Sequence, residues 1–291
     1  MQMEKKLTSG EFLVLAEMEP PKGVDVSQMI ANATRVRGKV DAFVIPEMSN
    51  AVMKMSSLGA AILLQSKGLE TVMQLCCRDR NRLALQADLL AAQALGVANV
   101  MAVTGEDPTY GDHHRARAVY DIDLVELLEA IQNLQKGRDM AGVELTGAPH
   151  FLVGSTVNSG ASGGALDMEM TELDRKMDAG AKFFVTPPVF DLELFSGFMK
   201  KVAGREAKII PTVLLLKSVG MARYIDRHLD NVTVPNAVIS RIQRAQDKVR
   251  ECVDIAAELV SGLRKMGCNG VLIVPLGWEH KLLDILDGAK A

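Results

Sequence analysis

Glu17 and Glu19 close an apolar run and are followed at once by Pro20 and Pro21. The run Phe12-Leu13-Val14-Leu15-Ala16 is short and shows no polar alternation, which reads as a strand buried on both faces. Side chains alternate along a strand, so both carboxylates point to the same side as Leu13 and Leu15. Two like charges on one wall of a buried strand raise at least one pKa, and a carboxylic acid still protonated near neutral pH suits general acid chemistry. The competing reading is a strand that merely surfaces at its end with two solvated glutamates.

Other residues with chemical potential sit in two loops and one helix. The segment from Thr104-Gly105-Glu106-Asp107-Pro108 to Arg115-Ala116-Arg117 is long, and loops of that length in compact domains are usually functional or mobile. It has neither GxGxxG nor GxxxxGK[ST] spacing, which excludes a Rossmann fingerprint and a P-loop. Arg115 and Arg117 suit a diphosphate, or are ordinary solvated charges. The pair His113-His114 has no third ligand at metal spacing, so no metal is expected. A second loop, Asn158-Ser159-Gly160-Ala161-Ser162-Gly163-Gly164, allows close approach of backbone to a ligand, as does any flexible surface loop. Lys176, in a helical stretch, offers a phosphate or ribose contact; helical spacing alone favours a solvated face. The sixteen methionines read as adaptable core filler.

Short apolar runs alternate with amphipathic stretches along the chain, the pattern of a parallel α/β fold. Strands are predicted at 12–18, 41–46, 71–76, 100–104, 151–155, 183–186, 209–214 and 271–275, eight in all, the number a closed (β/α)8 TIM barrel requires. Helices are predicted at 26–37, 50–66, 82–95, 124–136, 169–179 and 192–202, most with a glycine just beyond (Gly38, Gly68, Gly96, Gly137, Gly180). A longer helical tract, 235–265, forms an extra segment before the last strand. No low-complexity linker divides the 291 residues, so a single domain spanning 1–291 is expected. In such a barrel the site lies at the strand C-termini, and polar residues gather there: Glu17, Glu47, Arg78 and Asp79, Glu106, Asn158, Asp191, Lys217 and Glu279. An open doubly wound sheet also binds ligand at its strand C-termini, so this pattern supports α/β more firmly than it supports closure.

Composition narrows the function classes. With 48% hydrophobic and 24% charged residues the chain is globular, and a net charge of −3 gives no reason to expect nucleic acid or an acidic membrane as partner. Cys76, Cys77, Cys252 and Cys268 form no CxxC pair and read as reduced thiols. The N-terminal residues lack an apolar leader and no run is long enough to span a bilayer, so a cytoplasmic protein is expected.

Taken in order, the segments resemble the methylenetetrahydrofolate reductase family, particularly its short bacterial and archaeal members. The resemblance is carried by Glu17-Met18-Glu19-Pro20-Pro21, where the family has Glu-Phe-Phe-Pro-Pro, and by Gln74-Leu75-Cys76-Cys77-Arg78-Asp79-Arg80-Asn81. It continues through Thr104-Gly105-Glu106-Asp107-Pro108, Arg175-Lys176-Met177-Asp178-Ala179-Gly180-Ala181, Thr186-Pro187-Pro188-Val189-Phe190-Asp191 and Leu216-Lys217-Ser218-Val219-Gly220-Met221-Ala222-Arg223-Tyr224. What the resemblance implies is a TIM barrel holding a non-covalent flavin, usually FAD, with FMN also open. NADH, NADPH or a partner protein would supply electrons, and hydride would pass from flavin N5 to 5,10-methylenetetrahydrofolate to give 5-methyltetrahydrofolate. By position, Glu17 matches the general acid. Gln74, Thr104, Gly105, Glu106, Tyr120, Asp121, Asn158 and Lys176 match or adjoin flavin contacts. Glu19, Phe190 and Tyr224 are candidates on the substrate side, with Trp278 a further stacking platform. A homo-oligomer, or a complex with an electron-donating subunit, is implied.

The chain departs from the family pattern at several points. Glu106 stands in place of an aspartate, and Pro187 in place of a glutamine that bonds folate and nicotinamide; proline offers no donor. Ile45 replaces a polar residue, and Thr212 and Leu215 replace glycine and proline. The flavin half is thus better kept than the folate and nicotinamide half. A rival reading is a divergent, non-catalytic or electron-relay flavin subunit of a larger one-carbon complex; another is a flavin-free pterin methyl-transfer barrel.

Overall fold

A computed structural model describes residues 2–289. Eight strands, β1 (Leu13–Glu17), β2 (Ala42–Ile45), β3 (Thr71–Cys76), β4 (Asn99–Val103), β5 (Leu152–Thr156), β6 (Phe183–Pro188), β7 (Lys208–Leu214) and β8 (Gly270–Val274), pair in sequence order, all parallel, and β8 closes onto β1. Nearly every strand residue is buried, as expected where one face fills the barrel and the other packs under helices. Closure decides between the two α/β architectures the sequence allowed.

The helices are α1 (Gln2–Ser9), α2 (Ser27–Arg35), α3 (Ser57–Gln65), α4 (Arg82–Ala94), α5 (Leu124–Gln135), α6 (Gly163–Asp178), α7 (Leu192–Val202), α8 (Val219–His228), α9 (Asn236–Arg244), α10 (Lys248–Lys265) and α11 (Leu282–Gly288). Side-chain caps set several starts: Asn81 accepts from the Ala84 N–H, Asp191 from the Glu193 and Leu194 N–H groups, and Asp123 and Glu126 form a reciprocal capping box. Three expectations need correction. The helix expected at 50–66 begins only at Ser57, because Ser56 caps it through the Gly59 N–H and the residues before it form an irregular loop with Met48, Asn50 and Ala51 at positive φ. The tract at 235–265 is two helices, split where Asp247 caps α10 through the Arg250 N–H. The helix expected from 169 begins at Gly163, inside the glycine-rich loop, while α1, α8 and α11 were not among the expected helices.

At the end where the strands begin, α1 is fastened by two carboxylates. Glu70 accepts the N–H groups of Gln2 (2.9 Å) and Met3 (3.2 Å) and the Asn99 side-chain amide (3.1 Å). Asp41 accepts the Val14 N–H (2.8 Å) and the Lys6 ammonium (2.7 Å). These groups lie opposite the strand C-termini, so their loss acts on stability. Glu70→Ala should cost about 2 kcal/mol, the scale of losing charge-assisted bonds to partly buried donors, visible as a lower thermal midpoint with ligand binding at the other end unaltered.

Candidate active site

Seen from its C-terminal end, the barrel opens into a cavity of about 490 Å3 lined by Glu17, Glu47, Gln74, Thr104, Gly105, Glu106, Thr156 and Thr212, with Met101, Val103, Val185, Leu214, Leu272, Val274 and Leu276 as apolar walls. Through Thr104, Thr156 and Val185 it adjoins a second cavity of about 460 Å3, bounded by Asn158, Glu169 and Lys176. Through Thr104, Leu124 and Lys176 that one adjoins a third, about 390 Å3, between α5 and α6, where Cys77, Tyr120, Asp123 and Arg175 lie. The three form one groove from the mouth across the ends of β4 and β5. A separate cavity of about 540 Å3 beneath the α8–α9 connection shares only Pro188 with the mouth.

Glu17 ends β1 in the mouth cavity. Among the described residues its carboxyl makes no hydrogen bond or ion pair, so no direct partner holds the ionised form. Burial first, then the nearby carboxylates of Glu19, Glu279 and Glu106, push its pKa up to about 8, against a smaller opposing pull from Lys54. The residue is nonetheless half-buried rather than sealed, and it lines the mouth cavity. Glu19, two residues on, does not line this cavity; it is ion-paired with Lys54 in the loop before α3.

Arg78, just past β3, is a charged side chain with 1% exposure. Asp79 takes its Nε and Nη2 at 2.7 Å each, the Glu106 carbonyl accepts from Nη1 at 3.2 Å, and the Met48 carbonyl accepts from Nη2 at 3.4 Å. The Glu106 carboxylate lies 3.5 Å from Nη1, and the Arg78 carbonyl accepts the Val119 N–H at 2.7 Å. One guanidinium thereby joins the loops after β2, β3 and β4. Above it Gly105 adopts φ +87°, and any β-carbon there would collide with the Cys76 sulfur and press on Arg78 Cβ. Bare backbone is therefore presented at the mouth, with the Gly105 carbonyl capped by the Tyr120 hydroxyl at 3.1 Å.

Glu47 has its carboxylate fully used: it accepts from the Ser57 N–H (2.8 Å) and hydroxyl and pairs with Arg80 (3.1 Å), which also holds Asp88 (2.9 Å). Lys176 corrects the solvated-face reading, because it is 8% exposed; its ammonium donates to the Thr156 carbonyl at 2.9 Å and lies 3.8 Å from Glu169. Helical periodicity could not see that β5 and α5 cover this face. Gln74 accepts the Glu47 N–H through its amide oxygen at 3.3 Å. Asn158 accepts the Gly160 N–H, and Asp121 is bound to Arg82 rather than lining the groove. Phe190 is packed in the core, while Tyr224 is 61% exposed and stacked on His228 at 4.6 Å; neither lines the three cavities. Burial pushes the Cys76 thiol up to about 11 and Cys77 to about 12, so both stay protonated. Sequence reasoning missed the knot made by Arg78 and the Lys54 partner of Glu19. The signal for Arg78 was the charged run Arg78-Asp79-Arg80 placed directly after an apolar strand.

Pro187 and Thr212 are coupled. With no N–H at Pro187, the β6–β7 register shifts between Val185 and Pro188. The Thr212 N–H finds the Thr186 hydroxyl (3.3 Å) and the Thr212 hydroxyl donates to the Thr186 carbonyl (2.6 Å).

A family model described as methylenetetrahydrofolate reductase matches residues 2–290. Methylenetetrahydrofolate reductase 2 of Schizosaccharomyces pombe (strain 972 / ATCC 24843) is 23% identical over 275 residues, 91% of this chain; the chain spans 42% of that protein's length. Among solved structures, EDTA monooxygenase from Chelativorans sp. BNC1 superposes with TM-score 0.54 at 11% identity, covering 96% of this chain and 92% of that one. 2,3-Dimethylmalate lyase, a member of the PEP mutase/isocitrate lyase superfamily, does so with TM-score 0.54 at 11% identity, covering 99% and 83%. Identity that low supports the barrel fold and nothing finer.

The Arg78 knot gives a direct expectation. Arg78→Met leaves Asp79 and two carbonyls without their donor and should cost about 3 kcal/mol in urea unfolding. In the folded state the same variant should be cut faster by trypsin at Arg115 or Arg117, because the segment between β4 and α5 loses its anchor; unchanged cleavage would show the knot is not what holds it.

Proposed function

The chain belongs to the methylenetetrahydrofolate reductase family, and on that premise we propose that it reduces 5,10-methylenetetrahydrofolate to 5-methyltetrahydrofolate with a bound flavin, Glu17 acting as general acid. The observation that carries the reading is a buried carboxyl group, held protonated near neutral pH, in the first of three adjoining cavities at the strand C-termini.

The residues present fit such a cofactor. The mouth offers apolar walls for a planar ring, with Gln74, Thr104, the exposed Gly105 backbone and Glu106 as polar edges. Farther along, the buried Lys176 has spent one of its three N–H bonds on Thr156 and can meet phosphate oxygens, with Asn158 and Tyr120 on either side. When bound, the flavin supplies the hydride. Gly105 and Glu106 would hold its ring beside the β4 loop that Arg78 secures, and the apolar walls would keep water away from it.

Glu17 donates its proton to the ring nitrogen of the substrate as the C–N bond of the five-membered ring breaks, leaving an iminium that accepts hydride. A carboxyl with pKa about 8 is both present as acid at neutral pH and not so weak that donation is slow. Glu19 and Lys54 act through this pKa in opposite directions. FAD is the proposed form, with NADH, NADPH or an electron-donating protein as the reductant. A second reading, a flavin subunit without turnover of its own, is favoured by Pro187, which removes a donor from the substrate side. A coloured protein inactive with every reductant would select it.

Two measurements test the main reading. Purified protein should carry flavin, and Glu17→Gln should lose at least about a hundredfold in folate reduction while retaining it; full activity in this variant would remove Glu17 from the role. Because the acid form is required, kcat/KM should hold below about pH 8 and fall above it. The positions of that fall in variants provide the second test: upward in pH for Lys54→Met, which removes the lowering charge, and downward for Glu19→Phe, which removes the larger raising one. An unmoved profile in both would mean the Glu19–Lys54 pair is not coupled to the titrating group.

A further inference from the structure

Around the mouth, the cations are nearly all neutralised within the protein. Lys54 is paired with Glu19, Lys22 with Asp112, Arg78 with Asp79, Arg80 with Glu47 and Asp88, and Arg82 with Asp121. Lys217 differs. It lies just beyond β7, half-buried, and among the described residues no carboxylate lies within 4 Å of it. Its ammonium donates to the Leu276 carbonyl and stands 5.4 Å from the ring centroid of Trp278, just beyond the neighbouring β8. Leu276 itself lines the mouth cavity, so the pair sits on the rim next to Glu17's chamber. Arg115 and Arg117 also have no ion pair among the described residues, but they are exposed in the β4–α5 segment, where water solvates them.

An ammonium held in place by one carbonyl and an aromatic face keeps two N–H bonds and a whole charge for a ligand. Trp278 packs on the core with part of its surface left open, a platform for a second ring. From this pairing we propose that Lys217 and Trp278 form the seat for the arene and carboxylate of the substrate's tail, the p-aminobenzoyl-glutamate portion of a folate. The proposal rests on the folate reading above and adds to it how the tail is held on the β7–β8 side, next to β6, whose Pro187 contributes no donor. Lys217 here meets carboxylate oxygen, and the Trp278 ring meets the benzoyl ring.

Trp278 is the only tryptophan in the chain, so its fluorescence reports on the seat directly. Full-length protein titrated with p-aminobenzoyl-L-glutamate should show saturable quenching. Lys217→Met should weaken that binding about tenfold, the loss expected for one charge-assisted hydrogen bond, and Lys217→Arg should restore most of it. A neutral p-aminobenzamide lacking carboxylates should bind weakly and equally to all three proteins, which also shows that the variants are folded. In turnover, Lys217→Met should raise KM for methylenetetrahydrofolate about tenfold while kcat changes by less than twofold. Identical quenching curves for wild type and Lys217→Met would overturn the proposal, as would a Lys217-dependent response to NADPH alone, which would assign the cation to the nucleotide. If the tail fragment binds through Lys217 yet no reduction occurs, the seat stands and the reductase reading falls. If reduction proceeds with KM untouched in Lys217→Met, the reading stands and the seat falls.

Discussion

A carboxyl group that no protein donor touches, set among apolar barrel walls and facing three other glutamates, is the constraint around which the rest of the mouth is arranged. Ionising Glu17 would place charge where burial and Glu19, Glu279 and Glu106 all oppose it, so the neutral form persists to about pH 8. The same repulsion would spread through the whole rim if the other carboxylates were free. They are instead tied down: Glu19 by Lys54, Glu47 by Ser57 and Arg80, and Glu279 through the Gly277 N–H at 2.9 Å. The charges are thus divided between those neutralised to hold loops and one kept protonated to face the cavity.

The barrel makes this division possible because closure leaves every strand end on one rim, and the loops that leave it must be secured individually. Arg78 secures three at once. Its burial would be costly without partners, yet Asp79 and two carbonyls satisfy it from different loops, so the cost is met only when all three are in place. That is an argument for why an arginine, with its planar fork of donors, occupies this position rather than a lysine. The Glu106 carboxylate, which lines the cavity, lies 3.5 Å from the same guanidinium.

Much of the architecture was legible because local signals and topology agreed. Eight apolar runs alternating with helical stretches gave the strands to within a few residues, and the strand end at Glu17 followed from an apolar run stopped by Pro20 and Pro21. Pairwise partners were not legible, since Lys54 meets Glu19 and Lys217 meets Trp278 only after the chain has closed. Lys176 shows the limit most clearly. A helix face that looks solvated in isolation is buried once β5 supplies a carbonyl for its ammonium, and no periodicity within one helix reports on a neighbouring strand. The loop before α3 was misread as helix for a related reason: its conformation is set by contacts with the β4–α5 segment, where Met53's N–H reaches Asp112 at 3.0 Å.

Pro187 and Thr212 bear on how far the substrate side has diverged. A proline in a barrel strand removes a ladder donor and would leave a neighbouring group unsatisfied, and here the register shift and two threonine hydroxyls absorb that defect locally. Thr212 remains in the wall of the mouth cavity, so the substitution alters the chemistry of that wall without disordering it. Beyond β7, Lys217 has no carboxylate within 4 Å among the described residues, and this unmatched charge is what the proposed anionic tail would meet.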